Sequence, residues 1–338
     1  MRIDDFDYQL PTELIAQTPI EPRDSARLLV DQGFAPPLHR QVKDFAEFCE
    51  PGDVIVVNDT KVIPARLRLI RKSGGSAEVL LLEQNQDSPS SWEALIRPAK
   101  RLKVGEHLLT SDGREVVRIG DRTSAGDTFN VWLSGETQTE IQKLLAKYGE
   151  MPLPPYISER LAKPDRYQTV YANRPASAAA PTAGLHFTPQ LIDDLKNFGV
   201  NVLTVDLTVG LDTFAPVTSK NPLNHPMHSE RYSVSRETLE QCALAKRVIA
   251  IGTTATRALE SAASTGILSG RTKMFISRGY EFKVVDLLLT NFHMPRTTLL
   301  MMIDAFIGPR WREIYTTAIS ERYRMLSFGD AMLLNRHL

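Results

Sequence analysis

The sequence predicts an α/β protein, a layered α/β/α sandwich carrying a small antiparallel β-barrel as an insertion. Two observations predict it. Short apolar stretches rich in Val, Ile and Leu alternate with helical patterns, which favours a mainly parallel sheet with helices on its faces. Within residues 63–157, six shorter stretches separated by turn residues read as the strands of a barrel. The expected division is a discontinuous α/β domain, 1–62 and 158–338, and a barrel domain at 63–157. A chain of 338 residues suits two domains better than one core.

The elements follow in order. Residues 11–15 open a short helix that Thr18-Pro19 ends. Residues 40–49 place Val42, Phe45, Ala46 and Phe48 on one helical face. Pro51-Gly52-Asp53 is a turn before the first buried strand. The barrel strands are expected at 66–71, 77–82, 92–97, 106–110, 114–119 and 128–133, with a hairpin turn at Asp112-Gly113. A helix at 138–148 leads to the rigid exit at 151–155. Thr188-Pro189 caps and starts a helix with Leu191, Ile192, Leu195 and Phe198 on one side, and Gly199 stops it. Further helices are expected at 236–246, 254–263 and 297–306.

Composition narrows the class. An apolar share of 42% and a charged share of 24% are ordinary for a globular chain. Lys and Arg number 40 and Asp and Glu number 40, which argues against a general polyanion binder while leaving room for a local basic face. Cys49 and Cys242 form no Cys-x-x-Cys and read as buried apolar residues in a reducing compartment. The acidic start, MRIDDFDYQL, is no signal peptide, and no apolar run reaches the roughly 18 residues of a membrane span. The expectation is a cytoplasmic protein with no membrane contact, acting as a monomer.

Four of the apolar stretches run into polar clusters. Residues 53–57 lead to Asn58-Asp59-Thr60, and 200–205 to Asp206, Thr208 and Gly210. Residues 247–251 lead to Gly252-Thr253-Thr254, and 284–289 to Thr290-Asn291-Phe292-His293. Ligands of open α/β sheets bind outside the carboxyl ends of strands, so these tips are expected to share one pocket. Thr182 to Thr188 precedes a capped helix, and its Gly184 lets backbone approach a ligand. His186 there is either a proton-transfer group or a structural histidine. The run from Gly252 through Arg257 offers N–H groups and hydroxyls to an anion, but lacks the glycines of a dinucleotide or P-loop fingerprint. Asn291, His293 and Arg296 combine an amide, an imidazole and a guanidinium on one loop. His225, His228 and Glu230 are too sparse for a metal centre, and no metal is expected. Arg66 and Arg68, on one strand face, and Arg97, Lys100 and Arg101 form basic patches suited to a nucleic-acid backbone or to ordinary solvation.

The blocks NDTKVIPARL at 58–67, MPLPPYI at 151–157, RYQTVYA at 166–172 and APTAGLHFT at 180–188 carry a resemblance. So do MHSE at 227–230, GTTATRALES at 252–261, TNFHMPRTTLL at 290–300 and FGDAML at 328–333. Together, in this order and over almost the whole chain, they resemble the S-adenosylmethionine:tRNA ribosyltransferase-isomerases of queuosine biosynthesis. Asp212, Ala215, Met325-Leu326 and Phe328 depart from that family's pattern. The resemblance implies an α/β sandwich with an inserted barrel. It implies an enzyme that moves the ribosyl part of S-adenosylmethionine onto 7-aminomethyl-7-deazaguanine at the tRNA wobble position. Epoxyqueuosine tRNA is formed, and adenine and methionine leave.

Under that resemblance His186, His228 and His293 become candidates for proton transfer, and Glu230 or the substrate-binding candidate Asp59 for offsetting the sulfonium or receiving a proton. Asn58, Thr60, Thr182, Gly184, Asp206, Thr208, Gly252, Thr253, Thr254, Arg257, Asn291 and Arg296 become substrate-binding candidates. Arg66, Arg68, Arg97, Lys100 and Arg101 become tRNA-binding candidates. A methyltransferase and a non-catalytic RNA-binding protein are the competing readings. The first lacks a Gly-rich strand–helix fingerprint, and the second leaves four polar strand ends without a purpose.

Overall fold

The structure, a computed structural model, describes every residue except 86, 87, 124, 125, 211–215, 218, 226, 228 and 338. The chain divides into two compact units. One is Met1–Thr60 with Pro154–Arg174 and Ala180–Leu338; the other is Lys61–Leu153 with Pro175–Ala179.

The larger unit is built on a nine-stranded sheet. Its centre is four parallel neighbours in the order Asn201–Leu207, Val54–Asn58, Val248–Ile251 and Leu287–Asn291. These are the four stretches with polar tips. Val54–Asn58, Val248–Ile251 and Leu287–Asn291 are buried at every position, because helices cover both faces. On one face Ile55, Val57, Ile249, Ile251 and Leu289 pack with Phe45, Phe187, Leu191 and Leu195. The Thr253–Thr265 and Thr298–Ile307 helices pack on the same sheet and bring Ala255, Ala258, Leu259, Leu300 and Ile303 to zero exposure. Truncating such a side chain to Ala costs about 2–5 kcal/mol in transfer and cavity energy.

The sheet is mixed where a mainly parallel one was expected. Ala331–Asn335 lies antiparallel to Leu287–Asn291 and parallel to Arg27–Gln32, and Ala35–Gln41 closes that side by an antiparallel hairpin. On the other side Glu230–Ser233 and Ser269–Thr272 add two antiparallel strands. Short connections such as Gly33-Phe34 can join only antiparallel neighbours. Residues 40–49 do not form an α-helix: the strand reaches Gln41, and Val42–Phe48 is a 3-10 helix.

The smaller unit is a closed barrel. Arg66–Arg71, Ser76–Gln84, Ser91–Arg97, Phe129–Leu133, Glu115–Arg122 and His107–Leu109 pair in that order, all antiparallel. Ile70↔Leu109 and Arg71↔Leu108 join the last strand to the first. Inward Leu67, Leu69, Val79, Leu81, Ala94, Ile96, Val117, Ile119 and Val131 alternate with outward polar residues. The Gln138–Tyr148 helix follows, started by reciprocal bonds between Thr137 and Glu140. The fold class read from the sequence, an α/β sandwich with an antiparallel barrel, is thus found.

Asn58 finishes the central strand. Its Oδ1 accepts from the N–H groups of Leu207 (3.1 Å) and Thr60 (3.2 Å), and its Nδ2 donates to the Leu207 carbonyl at 2.9 Å. The side chain thereby continues the ladder between two parallel strands at full burial. Asn58→Ala orphans three buried backbone groups and should cost about 2–4 kcal/mol. The expected result in urea is a lower midpoint with an unchanged slope.

Candidate active site

The parallel strands set the geometry. The chain first lays down Val54–Asn58, then Asn201–Leu207 on one side, then Val248–Ile251 on the other. The reversal at Val54–Asn58 is a topological switch point, where α/β sheets leave a crevice. A cleft opens at this edge, lined by residues 180–183, Val209, Gly252 to Thr254, Thr290 to Met294, Thr297 and Leu299. Tyr156, Leu326 and Ser327 complete the wall. Two of the four polar strand tips, Gly252 to Thr254 and Thr290 to His293, therefore share one hollow, and the chain after Asn201–Leu207 reaches it, among the described residues, only through Val209. The fourth, Asn58 to Thr60, does not line it.

The floor is the start of the Thr253–Thr265 helix. Gly252 has φ +89°, and a Cβ there would come to 3.3 Å from the Ala183 Cβ, so the chain can enter the helix this tightly only as glycine. Thr253 and Thr254 then present N–H groups at a helix N-terminus, where negative charge is favoured. The Thr254 hydroxyl is buried and has no hydrogen-bond partner among the described residues. One turn on, buried Arg257 pairs with buried Glu230, and its Nε and Nη2 carry no hydrogen bond to the described residues.

The opposite wall is a fixed amide. The Asp330 carbonyl can only accept, so it takes the Asn291 Nδ2 at 3.4 Å. Asn291 Nδ2 then also meets His186 Nε2 (3.2 Å), and Asn291 Oδ1 accepts from the Thr182 hydroxyl (2.9 Å). His186 Nε2 is therefore an acceptor and the ring proton sits on Nδ1, toward the Arg23 carbonyl. Burial, helped by the charges of Arg324, Arg23 and Arg166, pushes the His186 pKa down to about 4. The ring stands behind Asn291 and does not line the cleft.

His293 does line it. Its Nε2 lies 3.2 Å from the Thr290 hydroxyl, its N–H donates to the Tyr315 hydroxyl (2.9 Å), and its carbonyl accepts from Tyr8 (2.5 Å). Burial pushes its pKa down to about 3, so the imidazole is neutral near pH 7. The cleft thus offers an anion seat, a directed amide and an uncharged imidazole in a water-poor hollow.

The remaining candidates lie elsewhere. Gly184 packs under the Tyr171 hydroxyl and Thr169, where any Cβ would collide. Asp59 and Asp206 sit at neighbouring strand ends; burial raises the pKa of each, and Asp206 raises that of Asp59 further. Asp206 pairs with Arg174 at 3.0 Å. The Thr208 N–H bonds to the Arg231 carbonyl, and the buried Thr60 hydroxyl has no partner. Arg296, at φ 58°, turns from the cleft to Asp7 (2.6 Å) and Asp4 (3.3 Å). His228, and the departures Asp212 and Ala215, lie outside the described residues. On the barrel, Arg68, Arg97 and Arg101 share an open groove with Arg71, while Arg66 and Lys100 do not line it. Among the described residues no three His, Cys, Asp or Glu side chains gather as metal ligands, and no helix is long and apolar enough to cross a membrane. Sequence reasoning missed Tyr156 and Ser327, whose hydroxyls meet at 2.7 Å in the cleft wall, although both lie in or beside the resemblance blocks.

A family model described as "Queuosine biosynthesis protein" matches residues 3–334. This chain belongs to that family. It is 46% identical over 343 residues to the S-adenosylmethionine:tRNA ribosyltransferase-isomerase of Carboxydothermus hydrogenoformans, covering 99% of this chain and 100% of that one. The protein of the same name from Moorella thermoacetica is 47% identical over 347 residues, with the same coverage. Among solved structures, S-adenosylmethionine tRNA ribosyltransferase from Thermotoga maritima is similar, with 35% identity and a TM-score of 0.55 over 97% of this chain and 99% of that chain. The family places this chain among the transferases.

The buried imidazoles make stability depend on pH. Both histidines take protons near pH 6.5 when unfolded, but only near pH 4 and pH 3 when folded. As pH falls below 6.5 the unfolded state binds more protons, so stability drops by up to about 1.4 kcal/mol per pH unit for each ring and is flat above that range. Asp59 and Asp206 act in the opposite sense, at and just above the usual carboxylate range. Urea unfolding at pH 7, 6 and 5 should show the loss, and His293→Asn should remove about one proton from its slope.

Proposed function

We propose that this chain transfers the ribosyl part of S-adenosylmethionine to 7-aminomethyl-7-deazaguanine at the tRNA wobble position and isomerises it. The product is epoxyqueuosine tRNA, with adenine and methionine released. The observation that carries this reading is the cleft at the carboxyl edge of the parallel strands, with its helix N-terminus facing a neutral imidazole. S-adenosylmethionine is the ribosyl donor, and the reading uses no metal.

The donor needs a seat for a carboxylate, a neighbour for a sulfonium and room for adenine. The N–H groups and hydroxyls of Thr253 and Thr254 take the methionine carboxylate, with Arg257 one turn behind. Glu230, paired to Arg257, balances the sulfonium charge. Phe292, Met294 and Leu299 give adenine an apolar wall. His293 Nε2 receives the proton acidified by the neighbouring sulfonium. His186 acts through Asn291 as a positioning residue. The acceptor base must leave its stack to reach the cleft. The barrel arginines Arg68, Arg97 and Arg101 track RNA phosphates, flanked by Arg66 and Lys100. A tRNA substrate places the protein in the cytoplasm.

Incubation with S-adenosylmethionine and acceptor tRNA should release adenine and methionine in equal amounts and add a ribosyl-derived mass to nucleoside 34. Release of S-adenosylhomocysteine instead would mean methyl transfer and end the proposal. Thr254→Val should raise KM for the donor about tenfold with little change in kcat. In single turnover His293→Ala should slow the chemical step by roughly 100-fold or more. Wild-type rates in all of His186→Ala, His228→Ala and His293→Ala would refute an imidazole role.

A further inference from the structure

Three arginines hang on adjoining backbone segments beside the cleft, and the roles assigned so far leave them unused. Arg23, Arg166 and Arg324 all lie close enough to His186 to act on its charge, and Arg23 and Arg166 repel each other. They come from distant parts of the chain but hang on the same short segments. Arg23 Nη1 donates to the carbonyls of Gln168 (2.8 Å) and Leu185 (3.1 Å), and its Nη2 to that of Asp165 (3.2 Å). Arg166 Nη2 donates to the Ile20 carbonyl at 2.6 Å, and Arg324 Nη2 to the Thr18 carbonyl.

Carbonyl partners orient these cations without neutralising them. The nearby carboxylates do little more. Glu21 pairs with Arg166. Asp330 faces Arg324, but its two oxygens accept the backbone N–H groups of Arg27 and Arg324. Asp24 accepts from the Thr188 hydroxyl. Among the described residues the three positive groups therefore share one direct ion pair, and burial with little compensation lowers the pKa of both Arg23 and Arg324. The barrel groove differs, since Arg71 is held by Glu106 and Arg68 by Glu150.

The cluster adjoins the cleft wall. Gln17, next to Thr18, donates to the Tyr156 carbonyl at 3.0 Å, and Arg324 precedes Leu326 and Ser327 by two and three residues. Tyr156, Leu326 and Ser327 line the cleft. Arg23 and Arg324 are partly exposed, so an anion from solvent can reach them; Nε and Nη1 of Arg166 are buried, and its charge acts from behind. We propose that Arg23, Arg166 and Arg324 form a phosphodiester site at the cleft rim, seating the RNA backbone beside the reacting nucleotide. Paired planar forks match phosphate oxygens better than a point charge does. This inference rests on the tRNA reading above.

The test uses the full-length protein and a synthetic anticodon stem–loop RNA, with binding followed by fluorescence anisotropy across a salt series. Arg324→Gln removes the charge and keeps an N–H₂ group for Thr18. It should weaken binding about tenfold at low salt and reduce the slope of log K against log salt by about 0.7, one single-strand phosphate contact. Arg324→Lys should keep the slope. A folded Arg324→Gln protein with the wild-type slope would overturn the site. Should that variant fail to fold, arginine-selective labelling of the wild type, mapped by mass spectrometry, decides. The stem–loop should protect Arg23 and Arg324, and S-adenosylmethionine alone should not. No protection by RNA, or equal protection by millimolar inorganic phosphate, overturns the RNA assignment. These readouts do not require turnover. Protection without adenine release sinks the reaction and leaves the site; adenine release without protection does the reverse.

Discussion

The strand Val54–Asn58 is hydrogen-bonded in parallel on both sides, and the chemistry of the larger unit depends on that pairing. Parallel neighbours end at the same edge. Gly252, Thr290 and Val209 therefore emerge together even though long stretches of chain separate them. An antiparallel arrangement would have sent alternate tips to opposite edges, and no common hollow could form. Asn58 reinforces the constraint by tying its own strand end to Leu207.

Around the cleft the protein controls charge by burial and by fixing amide direction. The Asp330 carbonyl sets which way Asn291 faces; Asn291 sets the tautomer of His186; and His186 needs no counter-ion because it stays neutral. His293 reaches the same state through burial alone. Neutral rings avoid the cost of an isolated charge in a poorly solvated site. They also leave the positive end of the Thr253–Thr265 helix as an uncancelled source of field in the cleft.

Much of this was legible in the sequence, for physical reasons. Strands buried on both faces are continuously apolar, so VIVVN and LLLTN announce themselves, and the half-buried barrel strands show alternation. Five strands of the same sheet were not read from the sequence, Arg27–Gln32 and Ala331–Asn335 among them. RLLVDQ carries a buried charge, Asp31, whose partner Arg310 lies 279 residues away. AMLLN is made of strong helix formers. The polar tips pointed to the cleft, but the groups that hold them did not stand out. The bond from Tyr8 to His293 spans 285 residues, and contacts of that kind leave no local pattern. The same holds for Asp304, whose charge inside an apolar helix is met by Arg278 and the Trp311 indole.

The place of Ala331–Asn335 has a consequence for synthesis. It lies between Leu287–Asn291 and Arg27–Gln32, so in synthesis the stretch Leu28 to Val30 meets its parallel partner only when the much later residues 331–333 emerge. Until then the nascent chain holds an unpaired apolar strand with its outer neighbour Ala35–Gln41 alone. Such edges invite intermolecular pairing. This architecture therefore ties the soluble yield of the protein to how quickly the ribosome crosses the stretch between the two partners, and to what shields that hairpin meanwhile.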